Sequence, residues 1–333
     1  MEPVPKKGEK MTINDIAKIS GVSKSSVSRY LNGGSISKAN ASKIEKVIKE
    51  TGYRPNKVAS RLKATNGKMI GILISEIQTK SVGIILFNLQ ETLKKLGYQL
   101  FIISDRQWEN DKISNLASLV SQGVDGIILG TSRLTKDTLK YLSSLSIPVL
   151  LLGQKNSIFP YCKINDFDGG LMMGQYINTI TDGQILYLSM PLYDLAAGKE
   201  RQDGFLSAFT TNSTNVHTIE CGYDPESVYN QKEKINKINP SVIVCASDYL
   251  VLGLLKIINE KSISNYQHIK YTGFGDYEFS GDYALSITSL KFDYKQLGIN
   301  TGYKIVNMVE GNNKLTSNEL TLNLIKRTST EGI

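Results

Sequence analysis

The sequence predicts an all-α head followed by an α/β body built as two doubly wound parallel-sheet subdomains. Three observations lead there. Hydrophobic residues recur at helical spacing from Ile13 to Leu62. From Met69 onward, short unbroken apolar runs alternate with amphipathic stretches, the pattern of parallel strands covered on both faces by helices. Charge is also partitioned: residues 1–68 hold 15 of the 39 Lys and Arg against five acids, a net of +10, whereas the remaining 265 residues carry 24 basic and 26 acidic side chains. A basic, bounded head on a near-neutral body reads as a nucleic-acid-binding module joined to a unit with another task.

Residues 1–10 (MEPVPKKGEK) read as a loose tail. Thr12 then opens a helix as N-cap, with Asp15 three residues on in the manner of a capping box. Gly21-Val22 supplies a tight turn. Ser23 caps a second helix, Lys24 to Asn32, in which Val27 and Leu31 face the first helix and Lys24, Ser25, Ser28 and Arg29 are left outward. This helix–turn–helix order places the second helix in a major groove by its N-terminal residues. Small hydroxyls allow close approach to bases and phosphates, Arg29 suits guanine or phosphate, and Asn32 can bridge to the backbone. A third helix is expected from Lys38 to Thr51. Tyr53-Arg54-Pro55 breaks the chain, and Asn56 can cap a short last segment containing Lys57, Ala59 and Leu62. Two turns of helix are marginal alone. An exposed Leu62 beside Lys57, Arg61 and Lys63 would make a minor-groove wedge; the alternative is Leu62 tucked onto the body.

In the body, strands are expected at 69–75, 99–104, 126–130 and 147–152, and a second set at 185–189, 241–246 and 269–273, with helical segments such as 84–96 and 111–122 between. Two such sets, changing near Lys163–Phe167, imply two subdomains. Ligands of such folds sit at strand carboxyl ends, in a cleft between lobes. Ser75, Gln154, Asp194 and Ser247 fall at or just after strand ends. Trp108 and Tyr223 are placed where an aromatic could stack on a sugar ring, with a core or interface role as the competing reading. Asp276 could accept two sugar hydroxyls or simply cap a turn.

Other chemistries lack material. Cys162, Cys221 and Cys245 are few and widely spaced, and His217 and His268 are the only histidines, so neither a metal site nor a catalytic triad is expected. No cofactor is expected, since no Gly-rich phosphate loop follows a strand. No run approaches the ~18 apolar residues of a membrane span, and no signal peptide is read at the N-terminus, so a cytoplasmic location is expected. The polar segment Leu315–Ile333 carries no leucine heptads.

The motifs Thr12-Ile13-x-Asp15-Ile16-Ala17, Gly21-Val22-Ser23, Val27-Ser28-Arg29-x-Leu31-Asn32-Gly33 and Gly52-Tyr53-x-Pro55-Asn56-x-x-Ala59-x-x-Leu62 resemble the head of the lactose-repressor family of bacterial regulators. The likeness continues more loosely in Asn165-Asp166 with Gly169-Gly170, Gly198-x-x-Arg201-x-x-Gly204-Phe205, Ser247-Asp248 and Gly273-Phe274-Gly275-Asp276. The resemblance implies that Thr12, Asn32 and Ser37 hold phosphates and that Lys24, Ser25, Ser28 and Arg29 read the major groove. It places Asn56, Ala59 and Leu62 in a hinge helix. It also implies a body similar to periplasmic sugar-binding proteins, with Arg201 reaching into the cleft and three crossings between lobes, the last two near 287–292 and 320–325. The domains expected on this basis are a head at 11–54, a hinge and linker at 55–68, and a two-lobed ligand-binding and dimerisation unit at 69–333. Its N-lobe would comprise residues near 69–163 and 290–320, and its C-lobe those near 164–289 and 321–333.

The sequence departs from the family at Asn40-Ala41, usually Thr-Arg, and in the loop Ser75–Ser81, which lacks the usual Asn-Pro-Phe. The resulting expectation is a homodimeric transcriptional regulator, a repressor released from a pseudo-palindromic operator by a sugar-type effector. A corepressor response and a sugar-phosphate or sugar-acid ligand remain open. A solute-binding protein would lack the basic head, and an enzyme would need organised carboxylates.

Overall fold

The computed structural model describes residues 12–31, 34–51, 68–75, 77–105, 109–209, 215–260, 268–282, 284–312 and 320–331. The expected tail, the hinge segment up to Gly67, and Asn32, Asn56, Lys57, Ala59, Leu62 and Trp108 lie outside these residues. The chain divides into two compact units, residues 1–67 and 68–333.

The first unit packs three helices, α1 (Ile13–Ser20), α2 (Lys24–Leu31) and α3 (Lys38–Thr51). Helix α1 opens where the Asp15 carboxylate accepts the Thr12 N–H at 2.8 Å and the Thr12 hydroxyl at 2.7 Å. It stops at Gly21, whose φ of +63° is a left-handed conformation that glycine adopts without Cβ strain. Ile16, Val27 and Ile44, one from each helix, meet fully buried at the centre. Burying such a side chain is worth about 1.5–3 kcal/mol, so three helices this short hold together through this shared core rather than singly.

The second unit has two sheets. In the N-lobe, β1 (Met69–Ser75), β2 (Gln99–Asp105), β3 (Gly126–Gly130), β4 (Val149–Leu152) and β5 (Tyr161–Cys162) lie in the order β2-β1-β3-β4-β5, all parallel. All seven residues of β1 are buried, because alternate side chains serve opposite faces. Ile70, Ile72 and Ile74 join a core with Leu89 and Leu93 of α4 (Lys80–Lys95), while Met69 and Leu73 pack with Leu116 and Leu119 of α5 (Glu109–Ser121). Helix α6 (Lys136–Ser143) adds Leu142 to the second face.

The C-lobe contains α7 (Asp166–Ile180), β6 (Ile185–Ser189), a π-helical turn at Leu195–Glu200, α8 (Arg201–Ser207), β7 (Val216–Glu220), α9 (Pro225–Tyr229), α10 (Lys232–Ile238), β8 (Val242–Cys245), α11 (Asp248–Asn259) and β9 (Lys270–Gly275). A 3-10 turn at Glu278–Gly281 leads to β10 (Thr288–Phe292); α12 (Tyr294–Val309), β11 (Leu322–Ile325) and α13 (Thr328–Glu331) follow. Its strand order is β11-β10-β9-β8-β6-β7, with only β11 antiparallel. Tyr187 on β6 stacks on Phe205 of α8 with ring centres 4.8 Å apart, both fully buried.

The chain passes between lobes after β5, between β10 and α12, and between α12 and β11, where α12 returns to pack on α4. The stretches 287–292 and 320–325 therefore contain strands of the C-lobe sheet, with the passages lying beside them. Thr288 and Ser289 can sit buried in β10 because partners meet their hydroxyls: the Arg327 carbonyl accepts from Thr288, and the Asp248 carboxylate accepts from Ser289.

Candidate functional site

In the body, a cavity of about 180 Å³ opens between the two lobes. Ser75 ends β1, Gly130–Ser132 end β3 and Leu152–Gln154 end β4 on one side; Met190 and Asp194 follow β6, Tyr223 follows β7 and Ser247 follows β8 on the other. All lie at the carboxyl ends of parallel strands, where doubly wound folds bind ligands. The structure thus brings Ser75, Gln154, Asp194, Arg201, Tyr223 and Ser247 around one space.

Asp276 does not join them. Its backbone turns at a φ of +49°, and its carboxylate is held by Arg327 at 2.6 Å and Lys291 at 3.4 Å, so it ties the end of β9 to the segment after β11. The expectation that Asp276 accepts ligand hydroxyls is corrected accordingly: its acceptors are taken by the chain's own cations.

Arg201, only 4% exposed, reaches the cavity floor already partnered. The Asp166 carboxylate, at the start of α7, accepts from Nε at 3.1 Å and from Nη2 at 2.6 Å, both on Oδ1. The Ala246 carbonyl accepts from Nη1. Phe274 and Phe292 cover the guanidinium at 5.0 and 4.8 Å from their ring centres, a cation–π arrangement. Burial works against the charge, but the Asp166 carboxylate, together with Tyr294 and Tyr187, offsets it and holds Arg201 above the ordinary arginine value.

Asp194 caps the π-helical turn, accepting Ala196 and Ala197 N–H at 3.1 Å each, and it accepts the Tyr223 hydroxyl at 3.2 Å. Burial, and then the charge of Asp166, push its carboxyl above the usual range. Gln154 is 5% exposed, and neither its Oε1 nor its Nε2 has a hydrogen-bond partner in the chain. A buried carboxamide left so costs ~1–3 kcal/mol unless something else meets it. Two contacts also span the cleft. Tyr223 stands beside Ser132, and Tyr277, just beyond β9, stands beside Ser81 of α4.

Sequence reasoning passed over Asp166, Tyr277 and Tyr294 as cavity residues. Asp166 had a local signal. Asn165 caps α7, accepting the Asp168 N–H at 3.2 Å, so the next residue begins a helix where the chain enters the C-lobe. The pairing of Asp166 with Arg201 spans 35 residues and had none.

Asp248 heads α11 beside the cavity, fully buried. It accepts the Ser280 hydroxyl at 2.6 Å, the Ser289 hydroxyl at 2.7 Å and the Tyr277 N–H at 3.4 Å. Burial pushes its carboxyl up to about 6 against those bonds, and Asp276 adds to the rise. An acid raised on folding binds more protons folded than unfolded between the two values. Its contribution is therefore complete below the unfolded value near ~3.9 and is lost as pH climbs through about 6. Denaturant titrations at several pH values are expected to show this as roughly 2–3 kcal/mol less stability at neutral pH than at about pH 4 from this group. The Asp248→Asn variant should lack that difference; an unchanged slope would refute the assignment.

In the head, Lys24, Ser25 and Arg29 are exposed on α2 and Ser28 is half-buried beside them. The Ser23 hydroxyl bonds those of Ser25 at 3.0 Å and Ser26 at 2.9 Å, and it receives the Ser26 N–H at 3.3 Å. Ser37, also exposed, receives the Asn40 N–H at 3.4 Å at the start of α3. The Thr12 hydroxyl is turned onto Asp15. Exposed cations and hydroxyls on the second helix of a helix–turn–helix are the material of base and phosphate contact.

Catalytic and metal chemistry find no organisation. Among the described residues no His, Cys, Asp and Glu cluster could hold a metal ion. Cys221 and Cys245 are free and buried, and burial pushes the Cys221 thiol up to about 12, away from nucleophilic thiolate. No described helix is long and apolar enough to cross a membrane.

A helix–turn–helix unit joined to a two-lobed binding unit defines a ligand-responsive DNA-binding regulator. Residues 12–56 match the bacterial regulatory proteins of the lacI family, and residues 68–328 match the periplasmic binding proteins and sugar-binding domain of the LacI family. The chain belongs to this family, and it is a DNA-binding regulator rather than an enzyme. It is 26% identical to a sucrose operon repressor of Staphylococcus xylosus, over 90% of this chain and 93% of that one. It is 28% identical to the transcriptional repressor PurR of Actinobacillus pleuropneumoniae serotype 5b, over 86% and 88%. In fold it resembles a lac repressor dimer bound to operator and the anti-inducer ONPF, with a TM-score of 0.83, 23% identity, and 97% and 99% of the two chains covered.

Proposed function

We propose that the chain is a cytoplasmic repressor of a carbohydrate-utilisation operon, acting as a homodimer on a pseudo-palindromic operator and released by a small sugar-type effector. The cavity carries the reading. It is closed in by two lobes at strand ends, and its wall holds a buried carboxamide with no partner in the chain. A sucrose operon repressor and PurR repressors among the relatives support the regulatory role. The dimer is supported by the open edge of the N-lobe, where Phe87 on α4, Ile102 on β2, and Ile113 and Val120 on α5 are exposed, Phe87 by 66%. An exposed apolar edge of this kind is covered by a second copy in a two-fold arrangement. Two heads related by that axis would then meet two half-sites.

Lys24, Ser25, Ser28 and Arg29 would read the major groove, and Thr12 and Ser37 would contact phosphates. The expected result is that saturating effector weakens operator binding, measured by fluorescence anisotropy, by about 5–150-fold. Removal of residues 1–67 should abolish DNA binding while leaving effector binding in place, because the body is a separate compact unit. An effector that leaves operator affinity unchanged would refute the reading; one that tightens it would make the effector a corepressor.

A further inference from the structure

A guanidinium on a cleft floor suits hydroxyls, phosphate and carboxylate alike, so Arg201 alone does not choose the ligand's charge. Its neighbours do. Two of its N–H groups already meet Asp166 and a third meets Ala246, with aromatic rings over the plane. The paired fork that would grip an anion is occupied by the chain's own carboxylate. We infer that the cleft selects an uncharged ligand rich in hydrogen-bond donors, and that Asp166, by occupying Arg201, is the residue that turns phosphorylated and carboxylated ligands away. This deepens the effector reading and rests on it.

A separate observation points the same way. The unpartnered groups in the wall ask for donors as well as acceptors. Gln154 offers both an oxygen and an amide N–H₂ without a partner, a pair that hydroxyls meet because each gives and takes a hydrogen bond. Asp194, partnered by Ala196, Ala197 and Tyr223, can add only further accepted bonds. A phosphate dianion or a carboxylate group placed against them supplies no donor; only a ligand's hydroxyls do.

The charge balance agrees. The charged residues lining the cavity are Lys80, Asp166, Asp194 and Arg201, two of each sign. Lys80 is exposed, and hydration screens its charge. The buried charges are less screened, and since Asp166 is paired with Arg201, an entering anion meets the uncompensated Asp194 at close quarters. The same repulsion is felt inside the chain, where the charge of Asp166 raises Asp194.

The test uses the purified full chain and isothermal titration with sucrose, glucose and fructose, each beside its phosphate ester, and with gluconate. Small molecules retained by the chain from a cell extract are identified in parallel by mass. The retained molecule is expected to be neutral, and any sugar that binds should bind at least about ten-fold more tightly than its phosphate ester, as like-charge rejection requires. Asp166→Asn, which keeps an acceptor for the guanidinium but removes the charge, should narrow that ratio by about ten-fold. A retained anion, or a phosphate ester that outcompetes its parent sugar, would overturn the inference. A ratio unmoved in Asp166→Asn would overturn the role of Asp166. Should that variant not fold, the paired titrations on the native chain still decide the ligand's charge.

Operator affinity measured with the same compounds separates this inference from the regulatory one. An anion that releases DNA sinks only the inference about charge. A neutral sugar that binds without affecting DNA sinks only the regulatory reading.

Discussion

Replacing Arg201 by Met is expected to lower the unfolding free energy of the body by about 3–5 kcal/mol. The reason is what remains. Asp166, with a side chain 5% exposed, would be left as a charge without its counter-ion among the apolar walls of Phe274, Phe292 and Tyr294. The loss should exceed that from removing both charges together. In Asp166→Leu with Arg201→Met no buried charge is stranded, and most of the stability should return, because an apolar pair of similar volume is often as stable as a buried ion pair. Urea titrations of the two single variants and the double variant measure the coupling. A fall below about 1 kcal/mol in Arg201→Met would mean that the pair is solvated and that its electrostatics matter little. Effector binding should not return with stability in the double variant, since Arg201 itself lines the cavity.

Gly170→Ala is expected to cost about 3 kcal/mol or more, at the upper end of overpacking effects. A Cβ built there stands 2.0 Å from the Arg201 carbonyl oxygen and 2.7 Å from the Phe205 amide nitrogen. Both are backbone atoms, so no side chain can swing aside, and α7 must move away from α8. The opposite approach is as close: a Cβ on Gly204 would lie 1.9 Å from the Phe167 carbonyl oxygen. The variant should also bind effector more weakly, because α8 begins at Arg201. Gly83→Ala supplies the contrast. Gly83 sits in α4 with nothing within 4 Å of its built Cβ, and alanine there should stabilise by about 0.5–1 kcal/mol through helix propensity. Thermal unfolding of the two variants should therefore shift in opposite directions. Equal shifts would argue against the backbone-to-backbone packing.

Several strands readable in the sequence are ones whose both faces are buried. Met69–Ser75, Ile185–Ser189 and Val242–Cys245 are apolar along their whole length because helices cover them on each side. Four others were missed, β5 because it is only 2 residues long and the other three because polar residues interrupt them. β7 (VHTIE) and β11 (LNLI) are edge strands with alternating exposure, and β10 hides its hydroxyls against Asp248 and the segment at Arg327.

The cleft follows the same rule. Ser75, Gln154 and Ser247 were legible because a strand end is a visible mark, and the fold directs strand ends to one place. Asp276 carries the same mark and yet turns away, because Arg327, 51 residues on, claims its carboxylate. The Asp166–Arg201 pair escaped for the complementary reason. Its meaning lies in a distance between two helix starts that nothing local encodes.

The side chains of Tyr223 and Tyr277, standing beside Ser132 and Ser81 across the cleft, let the two lobes touch each other without a ligand between them. A hinge whose lobes touch each other directly has a resting bias that no ligand sets. The concentration at which a ligand takes effect scales inversely with the fraction of molecules already competent to receive it. Sensitivity and selectivity thus share residues here, because the two tyrosines that stand across the cleft also line the cavity. A change at either tyrosine would therefore move the threshold and the choice of ligand together.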